Sequence, residues 1–420
     1  MKDVHKWSTS KKVILIIDCL LCLTVIVSAM LIVIDKSREK NGVVYSGKVK
    51  ESTSDVVDVD ATAAQKGTAT ARLMCAGDNL IHGSIYRQAK NRSDDGSYDF
   101  SYPYAGIKDI ISLSDIAFLN QETVMDPEKE PSTYPLFNSP TSLLDEMIDI
   151  GFDVYNQATN HVMDKGLSGA KNDIALFKSK KDIILTGLYE NQEEMLKPQT
   201  KEVNGITFSF VGFTEYLNGL TVPSDSDLGL VYLTDTRSTK EALYQKMKQM
   251  IDVAKENSDV VCVSMHWWDE NITEPDESQQ EIMKTLMEYG ADIVIGTGPH
   301  ALQPIEYMQN GDGEQALCIW SLGNLISCQN ATVNLIGGIA DVVVKKDFDN
   351  NKVSIESAKL IPTITHYGGD YSNVRIIPFS KYSPELASAH GSSKSTFNYD
   401  YISNFYNEMF GDKLEIELDK

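Results

Sequence analysis

The alternation of apolar and polar segments along the chain predicts strands and helices that follow one another in turn. Residues 260–265 and 291–295 are two apolar runs typical of buried parallel strands. Between them, residues 278–289 carry apolar side chains at helical spacing, which predicts a strand–helix–strand unit. Apolar runs at residues 71–76 and 116–119 predict two more strands. The pattern favours the α/β fold class.

Other segments extend this pattern. Residues 337–345 and 353–361 predict two antiparallel strands, joined by a turn at residues 347–351. Helices are predicted at residues 104–112, 142–150, 166–178, 239–257 and 399–410. Strands are also predicted at residues 153–156, 182–186, 200–203, 206–213 and 317–321. We therefore expect one domain over residues 71–362 and a C-terminal extension, residues 363–420, that packs on it.

The N-terminal part differs in character from this domain. Residues 13–34 form an apolar run, interrupted by Asp18, that is long enough to cross a bilayer. Residues 1–12 carry four lysines and one acid, which predicts a cytoplasmic N-terminus, a single-pass signal anchor in the cell membrane and an extracytoplasmic main domain. A cleaved signal peptide is the alternative, and it places the domain on the same side. Residues 35–70 are polar and small, as expected of a flexible linker.

Composition narrows the classes of function. The chain has 420 residues, 42% hydrophobic and 23% charged, which is ordinary for a globular protein. Its net charge of −22 argues against a nucleic-acid partner, because phosphate binding requires a basic surface. The six cysteines form no CxxC pair outside the N-terminal apolar run, so a zinc-finger type of site is not expected. A disulfide between Cys318 and Cys328 stays open as an alternative to buried free thiols.

Candidate chemistry lies at the ends of the predicted strands. Polar side chains with metal-ligating atoms follow these strands directly: Asp78, Glu122, Asn160, His161, His266 and His300. Loops at the carboxyl ends of parallel strands meet at one edge of a sheet, where α/β proteins form their sites. Carboxylates, an amide oxygen and imidazoles suit Mn²⁺, Fe or Zn²⁺ better than Ca²⁺. These residues therefore predict a site for one or two divalent ions.

Such a site implies a particular division of roles. In a two-metal site a carboxylate bridges the ions, a bound water becomes the nucleophile, and a nearby His or Asn contacts the charge that develops on phosphate. Asn160 and His161 are the candidates for that catalytic contact. Glu270 and Glu306 could orient a ligand histidine, and His82 is expected to lie outside the ligand set.

Each candidate also has a purely structural interpretation. Asp78 could form a turn or cap a helix, Glu122 could be an acid in the first turn of a helix, and Asn160 could be a helix N-cap. His266, beside two tryptophans, could be a packed core histidine, and His300 could be a loop residue. The repeated placement at strand ends favours a shared polar site.

The same residues belong to a series of motifs that resembles a known family. The chain resembles the CapA-type proteins, the bacterial capsule (poly-γ-glutamate) synthesis family, between about residues 72 and 361. The motifs, in order, are AGDNLIHG, FLNQETV, ATNHVMDKG, MHWWDE, ADIVIGTGPHALQPIE and SLGNLI. Carried over position by position, the resemblance implies the same six site residues.

The resemblance also implies a fold and a function. It implies a four-layer α/β/β/α sandwich of the metallophosphoesterase type, and a role in the synthesis or export of an anionic surface polymer such as poly-γ-glutamate. Membrane synthase subunits would then be partners. A metal-dependent extracellular hydrolase of phosphoesters or of the polymer's amide bonds is one alternative. A non-catalytic binding module with a degraded site is the other.

Three positions depart from the family pattern, and a fourth departs, as the family itself does, from ordinary metallophosphoesterases. Gly298 stands where the family usually has a second histidine, Gln121 replaces a usual leucine, and Trp268 replaces a usual glycine. Leu80 stands where ordinary metallophosphoesterases have a histidine. The loss of an imidazole at position 298 keeps a single-metal or metal-free site open as an alternative.

Overall fold

The computed structural model describes residues 65–392, 396–411 and 414–416. The predicted cytoplasmic segment at residues 1–12, the predicted membrane helix at residues 13–34 and the linker up to residue 64 lie outside these described residues. Among the helices that are described, none combines the length and the apolar character that crossing a bilayer requires.

Two β-sheets make up the centre of the described chain. The first contains β1 (Thr68–Asn79), β2 (Ile116–Asn120), β3 (Val154–Asn156), β4 (Ile184–Thr186), β11 (Asn324–Ile326), β12 (Ile336–Asp347), β13 (Lys352–His366), β14 (Arg375–Pro378) and β15 (Glu415–Ile416). Its main order is β14-β13-β12-β1-β2-β3-β4, with β11 paired to β1 and β15 to β13. Strands β1 to β4 are parallel. The β12–β13 pair is antiparallel, which confirms the predicted hairpin.

The second sheet is mainly parallel. It contains β5 (Thr200–Val203), β6 (Ile206–Thr214), β7 (Val260–His266), β8 (Ile293–Thr297), β9 (Ile305–Gln309) and β10 (Gln315–Ile319). The order is β5-β6-β7-β8-β10-β9, and β6, β7, β8 and β10 run parallel. Every residue of β7 is buried, because both faces of a central parallel strand are covered. This explains the continuous apolar run in the sequence.

The predicted helices begin and end close to their expected positions, with one exception, and the helices at Gly83–Arg92 and Pro384–Ser388 were not predicted. The helices are α1 (Gly83–Arg92), α2 (Ser101–Tyr104), α3 (Lys108–Ile111), α4 (Ser142–Ile150), α5 (Gly166–Lys178), α6 (Lys240–Asn257), α7 (Glu277–Tyr289), α8 (Pro384–Ser388) and α9 (Tyr399–Met409). The single helix predicted at residues 104–112 is wrong, because α2 and α3 are separate. A Cβ at Gly106, between them, would lie 2.4 Å from the Ile376 carbonyl oxygen. The chain bends there to pass β14.

Apolar side chains fill both faces of the second sheet. On β7, Cys262 joins the apolar cluster that also contains Leu73 and Phe118 of the first sheet, so the two sheets share a core. The alternate residues Val261 and Val263 pack instead with α6 and α7. This alternation follows from the two-residue period of a strand. Strands and helices in these layers confirm the predicted α/β class.

The cysteines of the described residues are not paired. Cys75, Cys262 and Cys318 are buried and Cys328 is half-buried, all as free thiols. Burial raises the pKa of each of these thiols. The Cys318–Cys328 disulfide is therefore not formed, and the interpretation of the cysteines as small apolar residues holds for these four.

Candidate metal centre

The strand register brings polar residues of each sheet side by side. Asp78 at the end of β1 is paired with Asn120 of β2, and Asn120 is paired with Asn156 of β3. In the second sheet, His266 of β7 is paired with Thr297 of β8. All five residues are buried. The carboxyl ends of parallel strands in both sheets therefore deliver polar groups to one region, as such sheets do in α/β proteins.

Asp78 is the link between these two sets of strands. Its Oδ1 accepts a hydrogen bond from Asn120 Nδ2 at 2.8 Å, and its carboxylate accepts from the Gly298 amide at 3.1 and 3.2 Å. Its Oδ2 lies 3.0 Å from His300 Nδ1. Burial by itself would raise the pKa of Asp78, but the hydrogen bond and positive charge of His300 outweigh burial and lower it. Asp78 is thus neither a turn former nor a helix cap.

His300 is held in an unusual backbone conformation, with φ of +56°. Its Nδ1 lies 3.0 Å from Asp78 Oδ2 and 3.1 Å from Asn324 Oδ1, while its Nε2 lies 3.6 Å from Glu122 Oε1. Burial disfavours the imidazolium, yet the charges of Glu122 and Asp78 raise the pKa of His300 to about 10. His300 is therefore part of the polar cluster and not a plain loop residue.

Glu122 lies at the centre of the histidines. Its Oε1 is 3.6 Å from His300 Nε2, 3.9 Å from His161 Nε2 and 4.0 Å from His266 Nε2. These separations are too long for hydrogen bonds, and neither buried carboxylate oxygen has a hydrogen-bond partner among the described residues. Burial raises the pKa of Glu122 well above its usual range. An unpartnered buried carboxylate is costly, and a cation between Glu122 and the imidazoles would remove that cost.

The donor set fits a divalent ion. Asp78, Glu122 and His300 each offer one ligand atom, and these atoms all lie within 4.8 Å of one another. Two carboxylates and an imidazole are ligands that Mn²⁺, Fe and Zn²⁺ accept. With the unpartnered oxygens of Glu122, this grouping supports metal binding, and it leaves the identity of the metal open.

His266 is fixed by hydrogen bonds on both sides of its ring. Its Nε2 lies 3.0 Å from Asn160 Oδ1, and its Nδ1 lies 3.1 Å from Thr297 Oγ1. Because Asn160 Oδ1 only accepts, the ring proton sits on Nε2 and Nδ1 accepts from the threonine hydroxyl. Burial lowers the pKa of His266 to about 3, so the ring is neutral. His266 is buried, but it belongs to the polar cluster rather than to the apolar core.

Asp164, which was not among the predicted site residues, orients His161. His161 Nδ1 lies 2.7 Å from Asp164 Oδ2, and the same oxygen accepts from the Phe137 amide at 2.7 Å. The Phe137 ring packs edge-on against His161 at 4.7 Å. Asp164 therefore sets the tautomer of His161 and turns its Nε2 toward Glu122.

Asn160 joins this cluster to a neighbouring surface. Its Oδ1 accepts from His266 Nε2, while its Nδ2 donates to Tyr216 Oη at 3.2 Å and to Asn218 Oδ1 at 3.3 Å. Helix α5 begins at Gly166 with Lys165 as its capping residue. The alternative interpretation of Asn160 as the N-cap of that helix is therefore wrong.

The structure brings all six predicted site residues together, and their individual roles as ligands or catalysts stay predictions. It corrects one supporting role: Glu306 accepts from Trp320 Nε1 at 2.6 Å and contacts no ligand histidine. Glu270 Oε1 lies 4.0 Å from His300 Nε2. His82 lies outside the cluster, where its Nδ1 accepts from the Cys328 amide at 3.2 Å.

Several residues that shape the cluster were not selected from the sequence. They are Asn120, Asn156, Asp164, Thr297, Tyr216 and Asn218. Asn120, Asn156 and Thr297 are the last residues of β2, β3 and β8, so the rule that found Glu122 could have found them. Asp164 lies three residues after His161, inside a motif already identified. Tyr216 and Asn218 follow β6, and no site residue was predicted at the carboxyl end of that strand.

Gly298 departs from the family pattern for a steric reason. Its φ is +101°, and a Cβ there would lie 2.6 Å from the Trp267 carbonyl oxygen. Its amide donates to Asp78. A histidine at this position would require a different loop backbone, so the loop as it stands accepts glycine and not histidine.

Comparisons with known proteins agree with these motifs. The family model described as bacterial capsule synthesis protein PGA_cap matches residues 72–329. A PGA biosynthesis protein CapA of Bacillus subtilis (strain 168) is 26% identical over 291 residues, 68% of this chain and 72% of that protein. A capsule biosynthesis protein CapA of Bacillus anthracis is 29% identical over 184 residues, 44% of this chain and 42% of that protein.

A solved structure described as a novel phosphatase of Mycoplasma pneumoniae superposes with a TM-score of 0.42 at 13% identity, over 71% of this chain and 94% of that chain. The family match covers more than half of the 420 residues and includes all six site residues. The chain therefore belongs to the bacterial capsule synthesis protein family PGA_cap.

Proposed function

We propose that this chain is a membrane-anchored, extracytoplasmic CapA-like protein that acts in the synthesis or export of an anionic surface polymer such as poly-γ-glutamate. Membership of the PGA_cap family and the two named relatives support the link to capsule polymers. The apolar segment at residues 13–34 and the basic residues before it support a single-pass anchor with a cytoplasmic N-terminus. The proposed domain is a four-layer sandwich of the metallophosphoesterase type that follows this transmembrane helix.

The unpartnered, buried carboxylate of Glu122 is the observation that carries the chemical part of the proposal. It faces the Nε2 atoms of three histidines at 3.6 to 4.0 Å. Asp78, Glu122 and His300 would hold a divalent ion. His161, His266 and Asn160 would complete a site for one or two ions once the hydrogen bond from His266 Nε2 to Asn160 Oδ1 gives way to the metal. An acidic chain needs such a positive centre to engage an acidic polymer.

The proposed reaction is hydrolysis of a phosphoester or of an amide bond of the polymer. A bound ion would supply Lewis acidity and an activated water. His161, oriented by Asp164, is placed to exchange a proton through Nε2. Asn160 is held by His266 and Tyr216, so its amide is pre-oriented beside the cluster.

A non-catalytic role in polymer assembly, beside membrane synthase subunits, is the second candidate function. Gly298 favours it, because the second imidazole of the family pattern is absent and the loop backbone leaves no room for one. The buried Asp78, Glu122 and His300 favour the hydrolase. Metal binding and turnover separate the two candidates.

The test is elemental analysis of the purified full-length chain in detergent, together with Glu122→Gln and His300→Ala. Glu306→Gln is the matched control, because Glu306 contacts Trp320 away from the cluster. We expect Mn, Fe or Zn in the parent and the control, loss of that metal in both site variants, and metal-dependent cleavage of a phosphodiester or of poly-γ-glutamate. Bound metal without cleavage of either would favour the assembly role. No metal after reconstitution would contradict the proposed centre.

The anchor is tested separately in cells. We expect the full-length chain in the membrane fraction and its domain to be accessible to protease added outside. Deletion of residues 13–34 should release the protein from the membrane. A full-length chain that stays in the soluble fraction would contradict the proposed localisation.

A further inference from the structure

Side-chain hydrogen bonds join the carboxyl ends of three neighbouring strands, β3, β2 and β1. Asn156 Nδ2 donates to Asn120 Oδ1 at 2.8 Å, and Asn120 Nδ2 donates to Asp78 Oδ1 at 2.8 Å. All three residues are fully buried. In the described part of the chain Asn156 makes no hydrogen bond to the six site residues. We propose that Asn156 is a positioning residue, which sets the direction of this hydrogen-bond chain and thereby the orientation of the Asp78 carboxylate.

The chemistry of the three groups allows the hydrogen-bond chain to run in one direction. A carboxylate only accepts hydrogen bonds, whereas a primary amide has a donating end and an accepting end. Asn120 must therefore turn its Nδ2 to Asp78, which leaves its Oδ1 for Asn156. Without a donor at position 156, that buried oxygen would be unpaired or the Asn120 amide would turn over. The turned amide would place its Oδ1 against Asp78 Oδ1, where neither atom has a proton to donate.

The backbone of Ala158 decides which end of Asn156 faces Asn120. The Ala158 amide donates to Asn156 Oδ1 at 3.2 Å, and the Ala158 carbonyl accepts from Asn156 Nδ2 at 3.2 Å. With the Asn156 amide reversed, its oxygen would face the carbonyl and its nitrogen would face the backbone N–H. Because the side-chain nitrogen carries two protons, it can donate to Asn120 and to Ala158 together. The direction of the hydrogen-bond chain is thus fixed by the main chain.

Two glycines from different sheets enclose the Asn156 amide. A Cβ at Gly212, on β6 of the second sheet, would lie 2.3 Å from Asn156 Oδ1, and a Cβ at Gly187, just after β4, would lie 2.6 Å from the same atom. Both distances are well inside van der Waals contact, so a side chain at either glycine would displace the amide. Asn156 is therefore packed tightly enough to hold its neighbour in place.

The hydrogen-bond chain links two parts of the candidate metal centre. Ala158 belongs to the loop that leads to His161, while Asp78 belongs to β1. The Asp78 carboxylate is held by Asn120 and also by the Gly298 amide, at 3.1 and 3.2 Å. A ligand that is oriented before the ion arrives binds more tightly than one that must first be immobilised. This inference rests on the proposed metal centre and names a residue that prepares it.

Metal affinity separates positioning from a purely structural role. Full-length protein in detergent is stripped of metal and titrated in a calorimeter with Mn²⁺, with Zn²⁺ and, without oxygen, with Fe²⁺. Asn156→Leu has no donor, and Asn156→Asp keeps the shape of asparagine but only accepts once it is ionised. Loss of a partner behind a metal ligand costs about 10- to 100-fold in affinity. Because Asn156 acts through Asn120, we expect the Kd to rise by the lower figure, about tenfold, in both variants.

Asn310→Leu is the matched control for these titrations. Asn310 Nδ2 donates to Asp292 Oδ1 at 3.0 Å, which is the same kind of contact between an amide and a carboxylate. Asp292 precedes β8, at the opposite end of that strand from Thr297. The control should lower the urea midpoint of unfolding and leave the Kd unchanged. If the Asn156 variants also lower the midpoint but keep the Kd of the parent, the residue is only structural and the proposal is overturned.

A double-mutant cycle on metal-free protein tests the direction of the hydrogen-bond chain. In Asn156→Asp, Asn120 faces an acceptor on both sides. Adding Asp78→Asn lets the chain run the other way, from position 78 to position 156. We therefore expect Asn156→Asp to lower the urea midpoint of the parent, and to lower it less, or raise it, when Asp78→Asn is present.

Glu122→Gln is the control for charge in this cycle, because it removes a neighbouring carboxylate that lies outside the hydrogen-bond chain. It should not relieve the effect of Asn156→Asp. Equal relief from Glu122→Gln, or none from Asp78→Asn, would overturn the proposal. A parent protein that binds no metal would contradict the proposed centre, and the cycle, which needs no metal, would still decide for or against the role of Asn156.

Discussion

His300 and Asp78 are 222 positions apart in the chain, and His300 Nδ1 lies 3.0 Å from Asp78 Oδ2. Asp78 ends β1 of the first sheet, while His300 follows β8 of the second sheet. Both side chains are buried, at 0% and 2% exposure. The pair therefore joins the two sheets at the candidate metal centre, and the site exists only where the sheets meet.

Glu122→Gln should abolish stabilisation by metal. Binding of an ion to the folded state alone raises the melting temperature, and Glu122 is the residue whose two buried oxygens are unpartnered among the described residues. We expect Mn²⁺, Fe²⁺ or Zn²⁺ to raise the Tm of the metal-stripped parent protein by several degrees, at about 100-fold excess over the dissociation constant. The Glu122→Gln protein should show no such rise in differential scanning calorimetry.

Asp173→Asn is the matched control for that measurement. It makes the same acid-to-amide change at a buried carboxyl on α5 that contacts the Met125 amide and none of the site residues named above. The metal-induced rise in Tm should be retained in Asp173→Asn. An equal rise in Glu122→Gln would show that the ion binds elsewhere.

Asp164→Asn should weaken the role of His161 without unfolding the protein. Asp164 Oδ2 accepts from His161 Nδ1 at 2.7 Å and so fixes the ring. Replacement of such a partner typically costs about 10- to 100-fold in activity or metal affinity. We expect that loss in kcat on a phosphodiester, while near-ultraviolet circular dichroism stays the same. An unchanged kcat would remove Asp164 from the mechanism.

Gly298→Ala should destabilise the protein more than Gly96→Ala. Both glycines have positive φ, +101° and +84°, so both substitutions carry the backbone strain of about 1–2 kcal/mol. A Cβ at Gly298 would also lie 2.6 Å from the Trp267 carbonyl oxygen, whereas Gly96 has nothing within 4 Å. We expect the free energy of unfolding, from urea titration, to fall by about 3 kcal/mol or more for Gly298→Ala. Equal losses would show that the loop can move aside.

Asp173→Asn should stabilise the protein at neutral and higher pH. Burial, with the nearby charge of Asp126, raises the pKa of Asp173 from 3.8 to about 8. Between these two values the folded state holds a proton that the unfolded state has released, so the stability of the parent falls as pH rises. We expect the variant to gain at least about 2 kcal/mol at pH 8, and little at pH 4, in urea unfolding. A gain independent of pH would contradict the raised pKa.

Local pattern was sufficient to predict most elements of the described chain. Helix α5, for example, begins and ends where its apolar spacing predicts, at Gly166 and Lys178. The helix predicted at residues 104–112 failed because the close approach of Ile376 to Gly106 is a contact between distant segments. Periodicity records which face of an element is buried, and it carries no information on what passes nearby.

For the site, the sequence by itself determined which polar residues follow strands: Asp78, Glu122, Asn160, His161, His266 and His300. Only the tertiary structure decided that Glu122 faces three imidazoles without a hydrogen-bond partner among the described residues, and that Asp164 orients His161. The stacking of Tyr216 on Trp268 was likewise decided by the tertiary structure alone. Strand order and the packing of two sheets set these distances, because side chains far apart in sequence meet only when both sheets are assembled.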